Sequence, residues 1–111
     1  MKKVSYSCGL DAAMDVVGGK WKALILWHLH AEPLRFGELR RRVGGISEKM
    51  LTQQVRELER NGVLHREVFE QVPPKVIYSL TEFGQTLNAA LEPLGEWGHR
   101  HMETIEAMPR D

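Results

Sequence analysis

Lys49, Gln53, Arg56 and Arg60 stand at spacings of four, three and four in the middle of this 111-residue sequence. At about 100° per helical residue, with Leu51 at the centre of a buried face, Val55 and Leu58 fall within about 40° of it. The four polar residues then lie on the opposite side, with Thr52 on their flank. Amide plus cation is chemistry suited to a duplex. Gln pairs with both major-groove groups of adenine, Arg and Lys bond guanine, and a Thr methyl touches thymine. A helix in a major groove works mainly through its N-terminal half. That selects Ser47, Lys49, Thr52, Gln53 and Arg56, with Met50 as an apolar contact; Arg60, further along, meets phosphate or solvent. A solvated helix face carries the same residue types whatever its function, so the neighbouring elements must decide.

Those elements can be read from pattern. Residues 10–17 predict a first helix, with Leu10, Ala13, Met14 and Val17 on one stripe. After Gly18-Gly19, residues 20–30 predict a second helix with Trp21, Leu24, Ile25 and Leu29 inward. It is apolar almost all round in its second half, as a central helix is; Trp21 and Trp27 are expected in the core. Pro33 ends it. A short third helix over 36–43 turns Phe36, Leu39 and Val43 inward and closes on Gly44-Gly45. Ser47 can cap the fourth helix by accepting an orphan amide hydrogen, and Asn61-Gly62 suits a left-handed end. Residues 64–70 and 76–80, rich in β-branched and aromatic side chains, predict a hairpin around 71–75. Thr81 caps a last helix reaching towards Met108, which Pro93 kinks or interrupts.

Helix, helix, helix, turn, helix, hairpin, helix is the order of a winged helix–turn–helix. The expected fold is therefore mainly α with a small β-hairpin, one domain over 1–111. Its helix–turn–helix occupies about 36–61 and its wing about 64–80. In that arrangement the helix before the turn crosses the nucleic-acid backbone, which makes Arg40, Arg41 and Arg42 candidate phosphate contacts. At least one of them also suits the helix's C-terminal dipole. Lys75, behind Pro73-Pro74, is the cation that a wing lying over the backbone needs.

Net charge is zero, from 15 basic and 15 acidic residues, yet the charge is unevenly spread. Residues 35–66 carry +4 and residues 82–111 carry −4, a polarity that can present one basic side to phosphates. No apolar run approaches the ~20 residues a membrane helix needs. A single cysteine allows no internal disulfide. Together with the lack of a secretory signal pattern, this sets the expected location as cytoplasmic. No Ser-His-Asp, paired-carboxylate, phosphate-loop or metal-ligand arrangement rises above chance. The pairs His28/His30 and His99/His101 are spaced by two, which on a helix turns the rings to different faces. No catalytic residue, metal or cofactor is assigned.

Several ordered motifs resemble the HxlR-type transcriptional regulators, bacterial and archaeal relatives of the MarR regulators. They are Cys8, Val17-Gly18-Gly19-Lys20-Trp21, Arg35-Phe36-Gly37-Glu38-Leu39, residues 45–52, Arg56-Glu57-Leu58, Val72-Pro73-Pro74, Tyr78-Ser79-Leu80-Thr81 and Trp97-Gly98. Together they span roughly residues 8–98. The resemblance implies a homodimer with paired heads, joined through its N- and C-terminal helices (about 8–17 and 82–106) and bound to inverted repeats of double-stranded DNA. It does not carry over whether the regulator activates or represses. Family members often place proline after the N-terminal cysteine, whereas Gly9 stands here.

In part of that family the cysteine senses oxidants, quinones or aldehydes. Cys8 lies at the start of the first helix, whose dipole favours thiolate, with Lys2 and Lys3 helping and Asp11 opposing. The other reading is an inert thiol packed at the dimer interface. Leu87, Leu91, Leu94 and Trp97 form a stripe on the last helix that packs on its own domain or on a partner subunit. Its distance from the basic region and the acid around it favour the partner. The expected function is a DNA-binding homodimeric regulator that responds to a redox, electrophile or small-molecule signal. The alternatives are a winged-helix assembly module that never touches DNA and a metal-responsive regulator.

Overall fold

The computed structural model describes residues 4–110. The elements run α1 (Gly9–Val17), α2 (Lys20–Ala31), β1 (Leu34–Arg35), α3 (Phe36–Val43), α4 (Glu48–Arg60), β2 (Leu64–Phe69), β3 (Lys75–Leu80), α5 (Glu82–Arg100) and α6 (Met102–Glu106). Helix α2 is the central element, packed against α3, α4, β3 and α5. It buries Ile25, Leu26 and Leu29. The expected inward face was rotated: Leu24 and Trp27 are 36% and 44% exposed, and Leu26 takes their place. Periodicity cannot choose a face on a helix that is apolar nearly all round. Its neighbours chose it.

The core is completed by Leu39 of α3, Leu51, Val55 and Leu58 of α4, and Leu34, Ile46, Val63, Leu64 and Tyr78. The sheet has the antiparallel order β1-β3-β2. The hairpin pairs Leu64 with Leu80 through to Phe69 with Lys75, so Lys75 belongs to a strand and not to the tip. Strand β1 was not expected. It pairs Leu34 with Tyr78 and Arg35 with Ile77, which converts the wing's hairpin into a three-stranded sheet that starts directly before α3.

Two turns set the position of α4. Gly44 and Gly45 both take positive φ, at 72° and 74°, where a side chain would strain the backbone. Ser47 Oγ then accepts from the Met50 amide at 3.0 Å, the cap its residue type predicted. At the far end the Val63 amide reaches Leu58 O at 2.9 Å and the Gly62 amide reaches Glu59 O at 3.0 Å. That is a Schellman closure, in which Gly62 alone supplies the left-handed residue. Asn61 stays at φ −83°.

Thr81 caps α5 by accepting from the Gly84 amide at 3.0 Å and donates to Gly62 O at 2.6 Å. Gly84 is buried there, and a Cβ on it would stand 2.2 Å from Val63 O. Helix α5 continues through Pro93, which does not interrupt it, and ends at His101. On α1 only Val17 is buried. Leu10 and Met14, at 71% and 52% exposure, are an apolar stripe left open among the described residues. Among the described residues no helix is long and apolar enough to cross a membrane.

Candidate nucleic-acid interface

The outward stripe of α4 is continuous. Lys49, Thr52, Gln53, Arg56, Glu57 and Arg60 line one shallow depression on the face opposite Leu51, Val55 and Leu58. Lys49, Arg56 and Arg60 have no ion-pair partner among the described residues. Thr52 Oγ1 donates to Glu48 O at 2.8 Å, so its hydroxyl serves the helix itself. Met50 is half-buried against the core and its sulfur accepts from Gln54 Nε2 at 3.3 Å. It belongs to the packing of α4 more than to the open face.

The three arginines that looked equivalent in sequence have different surroundings. Arg40 Nε donates to Ile46 O at 3.1 Å and so braces the α3–α4 turn. Arg42 pairs with Glu32 at 2.6 Å. Arg41 has no ion-pair partner among the described residues. It lines a hollow with Arg40, the two turn glycines and Ser47, directly before the N-terminus of α4. Lys75 stands apart from this cluster, with Nζ 5.2 Å from the centre of the Phe69 ring, a cation–π contact across the two strands.

Pattern reading passed over three further charged residues. Arg66 of β2 is exposed and lines a cleft between α4 and the sheet, together with Arg56, Thr52 and Tyr78. It was visible only as one charge in the basic middle of the chain. Lys22 of α2 and Glu57 of α4 meet at 2.8 Å. The Lys22 ammonium and the Gln53 amide hold the Glu57 carboxyl below the usual glutamate range. No signal in a single sequence joins these two residues.

Cys8 is the N-cap of α1 and is exposed. The backbone amides of Asp11 and Leu10 hold its thiol below the ordinary cysteine value. The Asp11 carboxylate, expected to oppose this, instead accepts from the Ser7 amide at 3.1 Å and its hydroxyl at 3.2 Å. Lys2 and Lys3, expected to help, lie outside the described residues. The stripe on α5 divides: Leu87 and Leu91 pack against the core, while Leu94 and Trp97 remain 62% and 49% exposed. Leu94 lines a groove of about 900 Å³ between α2 and α5–α6, with Leu24, Trp27, Met102 and Ile105.

The HxlR-like helix-turn-helix family profile matches residues 16–106. The HTH-type transcriptional regulator YdeP of Bacillus subtilis, itself uncharacterised, is 48% identical over 101 residues, covering 91% of this chain and 79% of that one. Among solved structures, the reduced form of the redox regulator HypR superposes with a TM-score of 0.84 at 46% identity. It covers 91% of this chain and all of its own, 100%. Diamide-treated YodB from B. subtilis superposes with a TM-score of 0.71 at 35% identity, covering 86% of this chain and 96% of that one. The chain belongs to the HxlR-like helix-turn-helix family of transcriptional regulators.

Proposed function

We propose that this chain binds duplex DNA as a homodimer on an inverted-repeat operator, with α4 in the major groove and the β2–β3 wing over the backbone. The carrying observation is the capped helix α4, whose open face presents Lys49, Gln53, Arg56 and Arg60 without an apolar covering. In this reading Gln53 and Arg56 meet base edges. Lys49 and the Ser47 turn sit at the groove entrance, and Thr52 offers its methyl. Met50 supports from below. Arg41 and Arg66 take phosphates on either side, Arg40 and Arg42 hold the scaffold that presents them, and Lys75 meets the backbone from the wing. The dimer would form through α1 and α5–α6, where Leu10, Met14, Leu94 and Trp97 are exposed. The exposed apolar groove lined by Leu24, Trp27, Leu94, Met102 and Ile105 is surface of the kind that marks association sites.

A signal-sensing role for Cys8 has its own support: an exposed thiol at a helix N-cap with a lowered pKa, and similarity to a redox regulator and to a regulator solved after diamide treatment. With one cysteine per chain, a two-electron oxidant would join the Cys8 thiolates of two subunits or attach a small thiol to each. Binding selection from a random duplex pool, followed by anisotropy titration of the selected duplex with and without diamide, tests both halves. Enrichment of an inverted repeat supports the DNA reading. A diamide response that Cys8→Ser abolishes supports the sensor.

A further inference from the structure

Two carboxylates line the DNA-reading face, Glu48 in the first turn of α4 and Glu57 further along, and the surroundings of Glu57 are unusual for a solvated helix surface. Glu57 lines the same depression as Lys49, Gln53, Arg56 and Arg60. A bare carboxylate there would face phosphates and repel them. It is not bare: Lys22 reaches it from α2 at 2.8 Å, and the two side chains are only 13% and 34% exposed. Lys22 thus belongs to a different element from every residue of the helix–turn–helix, yet its charge balances the reading face.

The other oxygen of Glu57 engages Gln53. Gln53 Nε2 donates to Glu57 Oε1 at 3.5 Å, a long contact with one consequence for orientation. An ionised carboxylate only accepts, so the amide must turn its nitrogen towards Glu57 and its Oε1 away. The NH₂ group has two hydrogens, and Glu57 takes one. What remains facing outward is one N–H and the Oε1 acceptor. Adenine presents the complement in the major groove, an N7 acceptor beside an N6 donor. Guanine presents two acceptors, N7 and O6, and would set O6 against Oε1.

The geometry points to Glu57 as a positioning residue for base recognition, with Lys22 balancing its charge: the Glu57 carboxylate orients the Gln53 amide so that it selects adenine over guanine at one operator position. This rests on α4 reading DNA. It adds to that reading the identity of the base, the direction of the amide and a part for α2. Glu57 sets the orientation. Lys22 offsets the repulsion between Glu57 and phosphate.

The test begins with duplexes selected by the wild-type chain from a random pool, and with Gln53→Ala to identify the position Gln53 reads. At that position the wild type favours adenine over guanine by about tenfold or more, within the range of one good bidentate pair. Glu57→Gln leaves an amide that both donates and accepts, so Gln53 is no longer oriented. The adenine preference then falls to about threefold or less, while overall affinity holds or rises because a negative charge has gone. Lys22→Met keeps the Gln53–Glu57 contact but exposes the carboxylate. It weakens binding to all sequences together and leaves the preference in place. The double variant Lys22→Met/Glu57→Gln regains affinity without regaining preference. A merely structural ion pair would lower affinity for both bases equally and leave their ratio unchanged in every variant, and that pattern overturns the proposal. The two levels separate cleanly. If wild type enriches no sequence, or Gln53→Ala alters no position, the DNA reading of this face fails with it. If Gln53→Ala flattens a position and Glu57→Gln does not, only the positioning claim fails.

Discussion

Residues of one type in this chain are distinguished by what they touch. Arg40, Arg41 and Arg42 are consecutive and look interchangeable, but one braces a turn through Ile46 O, one pairs with Glu32 and one has no ion-pair partner among the described residues. The stripe Lys49–Gln53–Arg56–Arg60 was readable because helical period alone places it. The partners of Arg40 and Arg42 lie in loops, and that of Glu57 in another helix, so no local pattern reveals them. Cys8 was readable by position. Its lowered pKa has backbone amides as its main cause. The folded chain keeps thiolate to lower pH than an unfolded cysteine does. The midpoint of its iodoacetamide alkylation rate against pH is therefore expected below that of a peptide spanning the same residues. Coincident midpoints would remove the helix N-terminus as the cause. Asn88 presents the opposite case, a polar group that composition gave no reason to bury. It is 2% exposed, and its Oδ1 has no hydrogen-bond partner among the described residues. Burying an unpaired amide costs about 1–3 kcal/mol. Asn88→Leu, which keeps the number and branching of side-chain heavy atoms in a larger volume, is expected to raise the urea midpoint with an unchanged m-value, by about 1 kcal/mol or more. A lowered midpoint would show that the amide is satisfied in solution.

Elements formed where local signals agreed and shifted where tertiary contacts decided. Helix α4 has an amphipathic period, a serine cap and a glycine stop, and its observed span follows those signals. Ser47→Ala removes the acceptor of the Met50 amide and is expected to destabilise the chain by about 1 kcal/mol in urea unfolding. It should also loosen the presentation of Lys49, just past the cap. A change within 0.2 kcal/mol, on the order of measurement error, would mean that the cap is replaced by water. Strand β1 carries no comparable signal. Two residues have no readable alternation, and Leu34–Arg35 is extended because β3 offers its free edge. Lys75 was expected at the hairpin tip for a related reason. Strand limits there follow the Phe69–Lys75 pairing, which propensity does not encode. The exposed side of α2 belongs here too. Leu24 and Trp27 lie on the side facing α5–α6, and the sequence had no means of separating that side from the core.

At the scale of the whole molecule, two surfaces of different chemistry are carried on different elements. One is the cationic face of α4 with the α3–α4 turn. The other is apolar, the groove of α2 and α5–α6 beside Trp27 and Leu94, and α1 adds exposed Leu10 and Met14. The winged helix–turn–helix order was readable because each long element has its own period and punctuation. The division of the α5 stripe was not readable, since Leu87 and Leu94 differ only in what α5 meets at each level. If the apolar surface is the dimer contact, Leu94→Glu is expected to give a monomer by sedimentation velocity at concentrations where the wild type is dimeric. Its thermal stability should change little, because Leu94 is 62% exposed in the single chain. A dimeric Leu94→Glu would move the contact elsewhere. In the proposed complex two copies of α4 read an inverted repeat. This is tested most directly by selecting duplexes from a random pool and then titrating the selected duplex against a scrambled one across salt. The expected result is a two-fold symmetric consensus with half-site centres about one turn, ~10 base pairs, apart. Also expected are affinity roughly 10³-fold or more above the scrambled duplex and a negative salt slope reduced by about one for Arg41→Ala. Equal affinity for both duplexes at every salt concentration would contradict this mode of binding.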